Sequence, residues 1–336
     1  MCSITTSYSD TDEFYLTALH CLTAIEVPVH LFGAFIIIFR TPKKMSCIKT
    51  SMLTFHSLSA FLDFYLSFLT SPVLSVPSSA GYPLGFSTWV GVPTFIQVYL
   101  GFSFVSAVSV SIVLLFEGRY YVLRNGGVGY RSWKRKLYVV LLYLLSFLFI
   151  LPSYLDIPDQ NEGKLSLIEK IPCFPKDILN RPGFFILAVD ATLCVICVGS
   201  MASFLMIQGL FYAVSIAWTL SDSSSKSKTV HKMQKQLMIS LMIQITIPIS
   251  VFFIPTSILI FLVWNNLFNP AATNISMIMV SLHGIFSTIT MLIVHRPYRE
   301  ATIDVMHWFI LKERKTMKQS KIWITVAGQH VKSGVT

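Results

Sequence analysis

Long apolar runs alternate with short polar stretches along almost the whole chain. A helix rises 1.5 Å per residue, so crossing a hydrocarbon core about 30 Å thick takes about 20 mostly apolar residues. Seven runs meet that length, at approximately 16–39, 50–74, 89–116, 137–155, 184–218, 237–263 and 271–294, and none has Lys or Arg in its interior. The pattern predicts an all-α bundle of seven transmembrane helices. The fifth run, about 35 residues, is too long for one untilted span and too short for two spans with a turn. It reads as one helix protruding from the bilayer on the cytoplasmic side. Composition supports a lipid solvent: 54% of residues are hydrophobic and 12% charged, against about 25% charged in an average soluble domain.

Charge sets the orientation, because Lys and Arg concentrate in cytoplasmic segments. The connections after the first, third and fifth runs and the C-terminal tail together hold 22 of the 26 basic residues. The opposite side has only Lys164, Lys170, Lys176 and Arg181, and the N-terminal tail (1–15) carries Asp10, Asp12 and Glu13. That tail is expected outside, and residues 295–336 in the cytoplasm. The same split accounts for the net charge of +10: the basic residues mark topology and face an anionic inner leaflet, which argues against a nucleic-acid partner. No basic segment followed by an apolar signal opens the chain. The connection 156–182 has four prolines and is expected to be non-helical. Past the seventh run, Val305, Met306, Phe309 and Ile310 share one face, with Trp308 beside them, predicting a short amphipathic helix at about 297–313.

No HExxH, GxSxG or Walker motif is present, so no enzyme chemistry is expected. Cys194 and Cys197 form a CxxC inside an apolar run with no second pair, so neither a metal site nor a cofactor is expected. Charged groups inside spans are costly and are candidate functional residues. Glu26 and His30 are four apart on the first span. His56 and Asp63 are seven apart on the second. His283 lies mid-span on the seventh, with Ser287 one turn below. In a seven-helix ring of receptor type these spans are neighbours, which predicts a buried polar cluster. It either fixes helix register or serves as a switch or ion site. Asp190 is placed near the outer third of the fifth helix, as a candidate ligand contact. Pro248 and Pro255 each remove a backbone hydrogen bond in the sixth span, so they either form a hinge or simply shape the bundle. Glu117, Arg119 and Tyr120 close the third span, where an acid and an arginine can pair at rest and release the arginine to a partner. Cys21 is the candidate disulfide partner of Cys173 at the outer surface.

The run His283-Gly284-Ile285-Phe286-Ser287-Thr288, followed by Met291-Leu292 and His295-Arg296-Pro297-Tyr298-Arg299, resembles the last-helix signature of the nematode serpentine receptors of class H. Other pieces agree in order: Thr41-Pro42-Lys43-Lys44-Met45, His56 with Leu62-Asp63, Phe116-Glu117-Gly118-Arg119-Tyr120, Ile157-Pro158-Asp159-Gln160, Pro172-Cys173-Phe174-Pro175, and Gln234, Gln244 and Pro248. The resemblance covers about residues 12–302. One departure is Gly118, where the family usually carries Asn. The resemblance implies a chemosensory G-protein-coupled receptor in the ciliary membrane of sensory neurons. It would bind a small environmental molecule outside and a heterotrimeric G protein inside. The coupling face would include Glu117, Arg119, Tyr120, Lys232, Lys235 and Arg299. The alternative is a ligand-gated channel or transporter subunit of the sensory membrane. Against it, the spans carry three acids at different depths, not a ring.

Overall fold

The computed structural model describes residues 7–42, 46–125, 132–171, 174–221 and 228–308. Among them seven helices are long and apolar enough to cross a membrane: α1 (Asp12–Arg40), α2 (Lys49–Leu69), α3 (Thr94–Arg124), α4 (Trp133–Leu155), α5 (Thr192–Ser221), α6 (Met238–Trp264) and α7 (Pro270–Val294). The chain is therefore a multi-pass membrane protein. Each helix buries a stripe and leaves the rest apolar toward lipid. On α1 the stripe is Tyr15, Leu19, Leu22, Glu26, His30, Gly33 and Ile37, the three-and-four spacing of one helix face. Glu26 and His30 thus point inward.

α2 packs on α1, α3 and α7, α3 on α4 and α5, and α6 on α7. The main core joins Ile36 of α1, Leu62 of α2, Phe116 of α3, Ile216 of α5 and Met291 of α7. Burial is uneven: 61% of the most apolar window of α7 is buried, against 12% for α6. α6 buries the smallest share of its window, yet it packs along both halves of α7. It is the membrane-length part of a helix Lys228–Trp264 that runs through both Pro248 and Pro255.

A three-stranded antiparallel sheet caps the end of the bundle where α1 begins, with β1 (Pro72–Leu74), β2 (Ser79–Pro83) and β3 (Phe185–Ala188) in that order. Gly81 lies between both neighbours, and a Cβ there would stand 2.3 Å from the Val73 carbonyl oxygen, so only glycine permits this close approach. The sheet corrects two expected boundaries. The second span does not reach residue 74. It closes in a wide turn at Tyr65–Leu69, Ser71 takes a left-handed φ of 42°, and Pro72 opens β1. The fifth span does not begin at 184. Its first apolar residues form β3, and the helix starts at Thr192 and ends at Ser221. Part of the surplus length lies at the sheet end, and the remaining helix of 30 residues is still longer than the roughly 20 a span needs. Summed hydropathy cannot separate an apolar strand from the helix that follows it.

The 156–182 connection is also corrected. It holds a helix, Gln160–Lys170, whose cap residue Asp159 accepts from the amides of Asn161 at 2.9 Å and Glu162 at 3.2 Å. The four prolines flank this helix and do not enter it. Gln160 then bonds both backbone groups of Ile186, at 2.9 and 3.1 Å, stitching the segment to β3. At the opposite end, residues 296–308 are helical. Tyr298, Ala301 and Val305 pack into the main core while Met306 and Trp308 are exposed, so the inward face is shifted from the expected one. Phe309 and Ile310 lie outside the described residues.

Candidate functional site

Asp63 is fully buried (0% exposed) at the meeting of α1, α2 and α7. His30 on α1 contacts its Oδ2 through Nε2 at 3.1 Å, and His283 on α7 contacts its Oδ1 through Nδ1 at 2.8 Å. The amide of Gly284 donates to Oδ1 at 3.2 Å. His283 Nδ1 also faces the Val280 carbonyl at 3.0 Å. Both neighbours are acceptors, so that nitrogen carries the hydrogen. His30 Nδ1 meets the Thr288 hydroxyl at 3.0 Å, and His56 Nε2 donates to the His30 carbonyl at 2.9 Å. One hydrogen on each ring serves these contacts, and only His283 Nε2 of the three rings is left buried without a partner among the described residues. A second branch leaves the same helices: Ser67 donates to Glu26 Oε2 at 2.8 Å and lies 2.9 Å from the Thr23 hydroxyl.

The structure therefore brings together five of the six residues expected to cluster: His30, His56, Asp63 and His283 directly, and Glu26 through the adjoining branch. Ser287 is buried, but the hydroxyl that joins the network is that of Thr288. Gly284 and Thr288 stand in the last-helix signature without an assigned role, and Ser67 is not singled out by the sequence, because such residues are common in any span. The fold supplies the missing signal. α7 is interrupted at Leu282, giving helices Pro270–Ser281 and His283–Val294, and the interruption falls where Asp63 enters. Two glycines make the room. A Cβ on Gly284 would stand 2.2 Å from Asp63 Oδ2, and one on Gly33 would stand 2.7 Å from His56 Cε1. Gly284→Ala is accordingly expected to destabilise the protein by about 1–3 kcal/mol, read as a lower melting temperature of the purified protein. A melting temperature within a degree of wild type would refute the packing.

At the basic end, Glu117 is buried and pairs with Arg135 of α4, Nη2 to Oε2 at 2.7 Å and Nε to Oε1 at 2.8 Å. This corrects the expected Glu117–Arg119 pair. Residues two apart on a helix point to different sides, and α3 stays helical through Gly118. Arg119 instead lies close enough to act electrostatically on His295 and Tyr298 beyond α7. His295 bonds Gln244 of α6 at 2.6 Å, and Tyr298 meets Thr41 at 3.1 Å. Tyr120 accepts a hydrogen bond from Arg124 and leans on Tyr212 of α5. Arg299 donates back to the Ile293 carbonyl at 3.2 Å. Lys232 and Lys235 fall on the helix that leads into α6.

At the sheet end, Asp190 is not inside α5. It is exposed and caps that helix, accepting from the Thr192 amide at 3.0 Å and hydroxyl at 2.6 Å. Those bonds hold its carboxyl below the ordinary carboxylate range. Asp190 borders a small cavity of about 170 Å³ with Lys170 and Asn266. A larger cavity of about 340 Å³ lies beside it, beneath β1 and β2 and between α3, α5 and α6. Val98, Phe102, Cys194, Leu259 and Gln97 line it, and among the described residues no charged one does. The expected Cys21–Cys173 bridge is not formed, because Cys21 is a free thiol on the exposed side of α1. Nine residues into the helix, it sits about 13 Å along the axis from its start. Cys173 lies outside the described residues. Cys194 and Cys197 are buried as free thiols, and no group of three or more metal-ligating side chains occurs among the described residues.

Comparison with known proteins agrees with this architecture. The profile of the family described as Serpentine type 7TM GPCR chemoreceptor Srh matches residues 10–308. Serpentine receptor class H-72 of Caenorhabditis elegans is 25% identical over 286 residues, 82% of this chain and 80% of that protein. The crystal structure of squid rhodopsin superposes with a TM-score of 0.51 over 92% of each chain at 12% identity. At that identity the likeness is one of fold, the seven-helix fold of G-protein-coupled receptors.

Proposed function

This chain belongs to the Srh family of serpentine seven-transmembrane chemoreceptors, and from that premise we propose that it binds a small uncharged molecule outside the cell and activates a heterotrimeric G protein inside. The 340 Å³ cavity at the sheet end carries the reading. An apolar cavity of about 150 Å³ holds benzene, so this one accepts a ligand of about a dozen heavy atoms. Two of its lining atoms, Gln97 Oε1 and Thr70 Oγ1, are buried without a partner among the described residues, while Gln97 Nε2 is committed to the Val92 carbonyl at 2.8 Å. A mostly apolar ligand with one hydrogen-bond donor fits that chemistry.

The charge split supports an outside N-terminus, with the sheet and this cavity facing the environment and the membrane that of a sensory cilium. The coupling face is then Arg119 and Tyr120 with Glu117 behind them, Lys232, Lys235 and Arg299. α6, which buries the smallest share of its apolar window, is the helix that swings, with Pro248 and Pro255 as its bending points.

Cells expressing the chain with a promiscuous G protein should give calcium signals to members of an uncharged odorant panel. Val98→Phe, which fills the cavity from α3, should weaken the response at least tenfold with surface expression kept. An unchanged dose–response would remove the cavity from the ligand site. Ligand-evoked currents that persist with G-protein cycling blocked would favour the channel reading instead.

A further inference from the structure

A second cavity, about 210 Å³, lies deeper in the bundle, between α2, α3, α6 and α7. Phe55 and Leu62 of α2, Val108 of α3, and Ile249 and Phe252 of α6 give it apolar walls, and His283 of α7 is its one ionisable lining residue among the described residues. Ser109 and Thr256 also line it, but their hydroxyls are spent within their own helices, on the Val105 carbonyl at 3.0 Å and the Phe252 carbonyl at 2.7 Å.

His283 is the informative group. Its side chain is only 8% exposed. Nδ1 is held by Asp63 and Val280 on one side. The second ring nitrogen diverges from the first, so Nε2 points away from Asp63, and the Phe252 ring lies 6.3 Å from the imidazole, centroid to centroid. Nε2 is buried and has no hydrogen-bond partner among the described residues. Since Nδ1 carries the hydrogen, Nε2 of the neutral ring presents a lone pair. A buried acceptor left unmet costs about 1–3 kcal/mol, so an apolar space beside it selects an occupant that brings a donor.

We infer that this cavity is a second binding site, separate from the outer one, for a small uncharged molecule with an aromatic or branched apolar body and a single hydroxyl that donates to His283 Nε2. By comparison with the benzene-binding cavity its volume accepts about eight or nine heavy atoms. Such an occupant stands between α3 and α6, and so biases where α6 rests. The site makes no use of the receptor reading, because binding is measured on the purified protein.

Benzyl alcohol is a suitable probe, with ethylbenzene as the isostere lacking the hydroxyl. The full chain, labelled with ¹⁵N-histidine and held in lipid nanodiscs, is titrated with each. Benzyl alcohol should move one imidazole Nε2 resonance saturably toward the hydrogen-bonded position, and ethylbenzene should not. His283→Gln assigns that resonance by removing it. Ser109→Leu with Thr256→Leu fills the cavity without removing an interhelical bond, and should weaken the effect at least tenfold. If His283→Gln fails to fold, the filled variant alone decides. No saturable shift, an equal shift with ethylbenzene, or a shift unchanged in the filled variant would each overturn the site.

Discussion

Replacing Asp63 with alanine is expected to cost about 3–5 kcal/mol of stability, because it leaves three buried donors without their acceptor, at about 1–3 kcal/mol each. The carboxylate is the shared acceptor for His30, His283 and the Gly284 amide, and alanine leaves all three donors facing each other in a dry space. The size of the loss is itself informative. Interhelical hydrogen bonds in membranes average about 0.6 kcal/mol, so three ordinary ones would total about 2. A measured loss near 4 means that Asp63 is held as a charged hub, and one near 2 that it is a neutral bonding group. Asp63→Asn should fall between, because its single carbonyl oxygen serves two donors at most and its amide presents a third donor to donors. The readout is the unfolding midpoint of purified receptor, with surface expression following it. A loss under about 1 kcal/mol for the alanine variant would show that the network does not hold α1, α2 and α7 together.

The second large effect belongs to the pair at the other end of the bundle. Arg135→Ala strands the Glu117 carboxylate, which is 1% exposed, and should cost about 3 kcal/mol. That is the lower end for a broken buried pair, because Arg135 itself keeps 12% exposure and some water reaches the site. Glu117→Leu combined with Arg135→Leu should recover most of the loss, since paired apolar replacements of a buried ion pair are often near neutral. Arg135→Lys should recover little, because a single ammonium cannot reproduce the two-point contact of the guanidinium. Additive losses in the double variant would mean that the two residues act apart and that the α3–α4 junction is held by packing alone.

Seven membrane-length helices are legible in the amino-acid order, because lipid rewards apolar content summed along a segment and that sum needs no knowledge of neighbours. Asp63, His30, His56 and His283 are legible for the same reason in reverse: a charged or titratable group in such a segment is expensive, and each needs company. What the order of residues does not contain is who that company is. Thr288 rather than Ser287 meets His30 because α7 breaks at Leu282 and turns that face inward. Glu117 finds Arg135, eighteen positions on, because a helix aims positions 117 and 119 to different sides and α4 supplies the nearer cation. Phe185–Ala188 joins a sheet because β2 offers it an edge, although its composition is that of the helix beside it. Asp190 ends as a cap because that strand moves the helix start to Thr192. Hydropathy is a property of one segment, whereas hydrogen-bond partners, strand pairing and cavities are properties of faces that meet only after the helices pack.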